Sequence, residues 1–156
     1  MIKIIFVCYG NICRSPMAEY VMKDLAEKEG LSGCLEISSA ATSAWEQGQP
    51  VYAPAARKLK EHGISCKGHS AHQISKKEYE YYDYVVLMDN FNKHEIMKII
   101  GSDYQNKISM LRDYTDSPGE VADPYFTGDF DTTWEQVCAG CGGLLDFIKE
   151  KKGTGF

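Results

Sequence analysis

The sequence predicts an α/β fold, in which one three-layer domain over residues 1–156 holds a four-stranded parallel sheet between helices on both faces. Four short apolar runs alternate with longer segments of helical periodicity, which is typical of parallel strands joined by crossover helices. The 156 residues match the length of one ordinary domain, and the 44% hydrophobic residues are enough to form a core. No repeat or internal linker divides the chain.

The strands are predicted from short apolar runs rich in β-branched residues. The first run is continuous and therefore indicates a strand that is buried on both faces. The four predicted strands span residues 3–7, 36–40, 84–88 and 107–111.

The helices are predicted from apolar spacing and from end signals. Ser15 is the predicted N-cap of the first helix, Pro16 falls in its first turn and Gly30 ends it. Pro54 opens the second helix, which ends before His62. The later helices are expected at residues 75–82, 90–100 and 133–149.

Two segments are predicted to lack regular structure. Residues 112–131 are rich in Asp, Gly and Pro and are interpreted as a long functional loop. The chain is expected to fray from about residue 151. Ligands of parallel α/β sheets bind beyond the carboxyl ends of the strands, where both the first loop and this long loop are expected.

Composition argues against two classes of partner. The net charge is −5 and basic residues never run more than two together, so no basic stripe for nucleic acid is present. No apolar stretch approaches the roughly 20 residues that span a bilayer, and no signal-peptide pattern opens the chain. We therefore expect a cytoplasmic protein without a membrane partner, whose six cysteines are thiols.

The segment from Cys8 to Arg14 has the features of an anion-binding loop. It follows a buried strand and precedes a helix, whose positive dipole end points at it. Gly10 and Asn11 tolerate positive φ, so successive N–H groups can turn inward as a nest. The guanidinium of Arg14 is a planar fork that matches two phosphate oxygens.

Cys8 stands at the start of this nest, where the N–H groups and Arg14 favour the nucleophilic thiolate. The Ser15 hydroxyl can donate to the sulfur as well as cap the helix. A plain structural thiol would leave Gly10, Asn11 and Arg14 unexplained. A phosphate-binding loop without catalysis remains an alternative.

Phosphoryl transfer to Cys8 requires an acid on the opposite side that protonates the leaving oxygen. Asp123 is the best candidate, because Pro124 holds it extended on a stiff loop and Tyr125 and Phe126 follow as walls for a flat leaving group. The residues alone leave rival acids, namely Asp89, Asp113, Asp116, Asp129 and Asp131.

Taken together, these motifs resemble the low-molecular-weight protein tyrosine phosphatases. The resemblance covers essentially the whole chain in the family's order and rests on residues 7–16 (VCYGNICRSP), 38–40 with Trp45, 62–64, 83–84, 88–89 and 123–125. It implies a four-stranded parallel sheet and hydrolysis through a cysteinyl-phosphate, without a metal or other cofactor. It also implies a phosphotyrosine-containing protein as substrate, with phosphate or another oxyanion as product or inhibitor.

The resemblance assigns roles to individual residues. Cys8 would be the nucleophile, Arg14 would hold the phosphoryl group, and Asp123 would act as acid and base. The substrate would be bound by Tyr9, Gly10, Asn11, Ile12, Cys13, Ser15, Trp45 and Tyr125. The loop would be supported from behind by Asn11, Ser15, Ser39 and His69, with His72 as the alternative to His69.

Two positions depart from the family pattern. Phe126 stands where a second tyrosine is common, and Tyr9 where a smaller aliphatic residue is common. Cys13 is the expected redox partner of Cys8, because a disulfide between them would protect an oxidised nucleophile. Cys138 and Cys141 lie three residues apart in the last predicted helix, without a second pair of ligands for zinc, and are expected in the core.

An arsenate reductase on the same scaffold is a further alternative, since that chemistry also starts at a Cys-x5-Arg loop. It needs two more cysteines near the third strand and the segment after it. Residues 67–137 contain no cysteine, which favours the phosphatase.

Overall fold

Strand β1 (Ile2–Cys8) is the central strand in the computed structural model, which describes residues 1–152. Within that range the sheet has four parallel strands in the order β2-β1-β3-β4. The other strands are β2 (Leu35–Ala41), β3 (Tyr84–Leu87) and β4 (Ile108–Met110). The predicted fold class is confirmed.

Both faces of β1 are buried, which explains its continuous apolar run. Ile4 and Phe6 point into the core beneath one layer of helices, whereas Ile5 and Val7 point into the core beneath the other. The first layer contains α1 (Arg14–Lys28), α2 (Ala53–Glu61) and α6 (Phe130–Lys152). The second layer contains α3 (Lys76–Tyr81) and α4 (Asn90–Ile100).

Helix α6 packs closely against the 3₁₀ helix Leu111–Tyr114. A Cβ at Gly143 would lie 1.9 Å from the carbonyl oxygen of Tyr114, and one at Gly140 would lie 2.4 Å from Cγ of Leu111. Any side chain at these two positions would push the elements apart. The glycines therefore set the position of α6, which also contacts the segment that follows the 3₁₀ helix.

The predicted start of the first helix is wrong. Helix α1 begins at Arg14, and its N-cap is Cys13, which makes no side-chain capping bond. Ser15 lies inside the first turn because its hydroxyl is engaged with Cys8 and with the carbonyl of Ala40 instead.

The long loop predicted at residues 112–131 is also partly wrong. It contains the end of the 3₁₀ helix, the short helix α5 (Pro124–Thr127) and the first residues of α6. Helix α6 extends to Lys152, two residues into the tail that was expected to fray, and residues 153–156 lie outside the described part. Among the helices described, none is both long and apolar enough to cross a membrane.

Candidate active site

The candidate site lies at the carboxyl ends of the central strands. From β1 the chain crosses to β2 on one side and later to β3 on the other, which makes the β1–β3 boundary a topological switch point. Cys8 ends β1, and Asp89 follows β3 after one intervening residue. The fold therefore brings the loop after β1 and the residues after β3 to one crevice.

The sulfur of Cys8 lies at the bottom of this crevice, and the residue is 3% exposed. The backbone N–H of Asn11 donates to it at 3.3 Å, and the Ser15 hydroxyl lies 3.0 Å away. Ser15 Oγ accepts from Asn11 Nδ2 at 2.8 Å, and its one hydrogen can go either to the sulfur or to the carbonyl of Ala40 at 3.3 Å. The sulfur of Cys8 is therefore within hydrogen-bond reach of two groups of its own loop and the following helix.

Asn11 is the structural centre of the loop, with a left-handed φ of 60°. Its side-chain nitrogen donates to Ser39 Oγ at 3.0 Å, and its side-chain oxygen accepts from the backbone N–H of His72 at 3.2 Å. Its carbonyl oxygen lies 2.8 Å from Nε2 of His69. Both histidines that the sequence singled out thus contact Asn11, His69 through its ring and His72 through its backbone.

The support behind the loop includes a residue that the sequence reasoning missed. Glu19 is a buried carboxylate that accepts from Ser39 Oγ and from Lys23 Nζ, both at 2.5 Å. Its Oε1 lies 4.0 Å from Nδ1 of His69. No clear signal for this role was present in the sequence, because Glu19 and Lys23 at i, i+4 form the pattern of an ordinary ion pair on a helix surface.

Arg14 is 3% exposed and bonds to two carboxylates across the crevice. Nη1 donates to Asp89 Oδ2 at 2.7 Å and to the carbonyl of Val121 at 3.1 Å, whereas Nη2 donates to Asp123 Oδ2 at 3.3 Å. Burial lowers the pKa of Arg14. The anionic groups of Cys8, Asp123 and Asp89 together raise that pKa by more than burial lowers it, so the net shift is upward. The guanidinium therefore stays charged.

Asp89 is placed as a partner of Arg14 rather than as a free acid. It is the N-cap of α4, where Oδ1 accepts from the backbone N–H of Asn92 at 2.8 Å. Its other oxygen bonds Arg14. The sequence named Asp89 only as a rival acid. Its position just beyond a predicted strand could have indicated that it lies in the crevice.

Asp123 is the N-cap of α5 and has extended backbone geometry. Its Oδ1 accepts from the N–H of Tyr125 at 3.1 Å, and its Oδ2 contacts Arg14. Three of the rival aspartates are bonded elsewhere, Asp113 to Met110, Asp129 to Thr132 and Asp131 to Lys58.

The crevice has a polar floor and an aromatic mouth. Its lining comprises Cys8, Tyr9, Gly10, Ile12, Cys13, Arg14, Trp45, Glu46, Asp123, Tyr125 and Phe126. Trp45 and Phe126 are 81% and 83% exposed. Most residues predicted to bind the substrate are in this lining, whereas the buried Asn11 and Ser15 lie outside it. Glu46 was not predicted.

Cys13 lines the crevice but is buried. Burial raises the pKa of its thiol, and the negative charges of Cys8 and Asp123 raise it further. Cys13 is therefore a neutral thiol beside the nucleophile candidate. Cys141 is also buried, and burial raises the pKa of Cys138 to about 11. In residues 1–152 no group of three or more His, Cys, Asp or Glu side chains is arranged to hold a metal ion.

Comparison with known proteins decides the family. Residues 3–154 match the model of the low molecular weight phosphotyrosine protein phosphatases. The chain belongs to this family. YfkJ of Bacillus subtilis, named a low molecular weight protein-tyrosine-phosphatase, is 38% identical over 154 residues, which cover 97% of this chain and 99% of YfkJ.

Solved structures of family members superpose closely on this phosphatase. The crystal structure of YfkJ has a TM-score of 0.94, and the match covers 97% of each chain. A crystal structure of a Drosophila arginine phosphatase is 32% identical, with a TM-score of 0.87 over 95% of this chain and 98% of that one. The non-catalytic binder that the sequence left open is therefore set aside in favour of an enzyme.

Proposed function

We propose that this phosphatase hydrolyses phosphotyrosine and related aryl phosphate monoesters through a cysteinyl-phosphate at Cys8. The observation that carries the proposal is the convergence of Cys8, Arg14 and Asp123 on one crevice. A nucleophile at the floor, a cation beside it and a carboxyl group near the mouth are the three groups that this reaction needs.

In the first step the Cys8 sulfur attacks phosphorus. The S–P bond forms as the bond between phosphorus and the phenolic oxygen breaks, and Asp123 gives a proton to that oxygen. The guanidinium of Arg14 and the N–H groups of the loop bind the non-bridging oxygens, where negative charge must be stabilised. Because Arg14 would turn its fork to the phosphoryl oxygens, its bond to Asp123 would be exchanged for them.

In the second step water attacks the phosphorus of the cysteinyl-phosphate. Asp123, now a carboxylate, takes a proton from that water, the S–P bond breaks, and phosphate leaves with Cys8 restored as thiolate. Ser15 and the N–H of Asn11 stabilise the thiolate as leaving group, since both lie within hydrogen-bond reach of the sulfur.

The shape of the crevice supports an aromatic substrate. The Cys8 sulfur is buried, so the phosphorus reaches it at the end of a long arm more readily than on the short side chain of phosphoserine. Tyr9, Trp45 and Tyr125 at the mouth offer rings against which a phenyl group can pack. A phenol is also a better leaving group than an alkanol.

We propose in addition that Cys13 captures an oxidised Cys8 as a reversible disulfide. Both residues are free thiols at the same crevice, and all six cysteines in the described part are free. A reducing, cytoplasmic compartment suits an enzyme whose nucleophile must remain a thiol.

The test compares Cys8→Ser with Cys34→Ser, which removes a partly exposed thiol away from the crevice. Peptides carrying phosphotyrosine, phosphoserine or phosphoarginine serve as substrates, the last because one similar structure is an arginine phosphatase. We expect the phosphotyrosine peptide to be preferred, and Cys8→Ser to reduce its turnover by at least about 10⁴-fold. Cys34→Ser should stay within about twofold of the wild type.

Two results would overturn the proposal. Substantial turnover by Cys8→Ser would exclude the cysteinyl-phosphate. A higher kcat/KM for phosphoarginine than for phosphotyrosine would replace the substrate class while leaving the nucleophile in place.

A further inference from the structure

The segment that carries Asp123 is held by two side chains of α6. The N–H of Ala122 donates to Oε1 of Gln136 at 2.8 Å, and the carbonyl of Ala122 accepts from Oγ1 of Thr133 at 2.8 Å. Thr133 and Gln136 are three residues apart and share one face of the helix. Both polar backbone groups of the residue before Asp123 are thus bonded to the same helix.

The hydrogen bond from Thr133 to Ala122 is made by a buried hydroxyl. Thr133 is fully buried, and the other acceptor within its reach, the carbonyl of Asp129, is more distant at 3.4 Å. The single hydroxyl hydrogen therefore belongs to Ala122. Loss of that hydroxyl would leave the carbonyl of the half-buried Ala122 without this partner.

The residue before Ala122 is held from the opposite side. The N–H of Val121 donates to the carbonyl of Met88 at the end of the sheet, at 2.9 Å, and the carbonyl of Val121 accepts from Arg14. Val121 is therefore held by Arg14 and by the residue that follows β3, and Ala122 is held by α6. Asp123 is the next residue after these two anchored residues.

The carboxyl group of Asp123 has few contacts of its own. Within the described residues it meets Arg14 Nη2 at 3.3 Å and the N–H of Tyr125 at 3.1 Å. Its direction therefore depends on the backbone that carries it. A general acid must lie within hydrogen-bond reach of the leaving oxygen, and a displacement of about 1 Å can cost about 10²-fold in rate.

From these contacts we propose that Thr133 and Gln136 are positioning residues, which aim the Asp123 carboxyl at the leaving oxygen by clamping Ala122. The proposal rests on the function proposed above. The helix that carries both residues is itself closely packed, because Gly140 and Gly143 let α6 contact the 3₁₀ helix directly.

The test removes the hydroxyl in Thr133→Val, which keeps the shape of the side chain. Phenyl phosphate has a poor leaving group that needs the acid, whereas 4-nitrophenyl phosphate has a good one that needs it less. We expect kcat/KM to fall about tenfold more for phenyl phosphate than for 4-nitrophenyl phosphate. Thr133→Ser restores the donor and should restore the wild-type ratio of the two substrates.

The matched control is Thr132→Val, which makes the same change one residue earlier. Thr132 bonds to Asp129 rather than to the acid segment, so its substitution should leave the ratio of the two substrates unchanged. In an Asp123→Asn background, Thr133→Val should cause no further loss, because the group that it positions is already gone. Equal losses on both substrates, or an undiminished loss in that background, would overturn the proposal.

A second variant tests the clamp even if Thr133→Val folds poorly. Its measurement does not depend on enzyme activity. Gln136→Met removes the acceptor of the Ala122 N–H, so hydrogen exchange at that amide should accelerate by about tenfold or more, as for other opened hydrogen bonds. Unchanged exchange would overturn the clamp. A wild-type enzyme without aryl phosphatase activity would instead refute the proposed function, and the exchange measurement would still decide the clamp.

Discussion

The loop that carries Cys8 and the segment that carries Asp123 face each other across one crevice but are stabilised differently. Cys8, Asn11, Cys13 and Arg14 of the loop are buried, and the side chain of Asn11 holds the loop by bonding to Ser15 and Ser39. The acid segment is held through its backbone by outside elements, and Phe126 beside it is open to solvent. The nucleophile is thus organised by a buried network of side chains around Asn11, whereas the acid is held through the backbone of its segment so that the mouth stays free for substrate.

The largest effect should come from removing the acid. Asp123→Ala should lower kcat/KM for phenyl phosphate by about 10³-fold, within the range for general acids, and for 4-nitrophenyl phosphate by less. Asp116→Ala is the control, because Asp116 lies exposed on the preceding stretch. Steady-state kinetics with both substrates measure the difference, and equal losses on the two would argue against an acid role.

A smaller effect is expected from breaking the support of the loop. Asn11→Ala puts an alanine at a φ of 60°, where its side chain cannot form the hydrogen bonds that stabilise asparagine there. The substitution also removes the bonds to Ser15 and Ser39. An alanine in this region costs about 1–2 kcal/mol, and the misplaced loop should lose about 10²-fold in kcat/KM.

Asn106→Ala is the matched control for Asn11→Ala, because Asn106 has a similar φ of 53° on the exposed surface. It should lose stability without losing activity per folded molecule. If both variants had the same kinetic constants, the network around Asn11 would have no part in organising the nucleophile.

The same contrast explains how much the sequence could predict. The loop is local, since Cys8, Asn11 and Arg14 fall within seven residues between a strand and a helix, and both element types can be predicted from short patterns. The fold class followed from the same patterns. The acid segment depends on distant partners, and Ala122 is held by residues 11 and 14 positions further along the chain.

Specific side-chain contacts in the fold, some distant and one local, explain the errors. Ser15 was predicted as a helix cap from its immediate neighbour Pro16. In the fold its hydroxyl is instead used by Cys8 and Ala40, and Ala40 lies 25 residues away. The start of α6 was expected three residues late, because Asp and Gly near residue 128 resemble a loop until Asp129 caps the helix by accepting from Thr132. Glu19 on α1 was missed because its partner Ser39 lies 20 residues further along the chain, on β2.

The smallest effect is expected at the open mouth of the crevice. Phe126→Ala should change kcat/KM for 4-nitrophenyl phosphate by less than about twofold, because a ring that is 83% exposed has little packing to lose. A loss as large as that of Asn11→Ala would show that the mouth is organised as tightly as the floor. The contrast between the two regions would then fail.

The most direct test of the central claim is to trap the covalent intermediate. Wild type and Asp123→Ala would be mixed with 4-nitrophenyl phosphate, quenched within one turnover and mapped by mass spectrometry of their peptides. We predict one added phosphoryl group on the peptide that contains Cys8, and none in Cys8→Ser. Turnover without a phosphoryl group on Cys8, or with one on another residue, would contradict the mechanism.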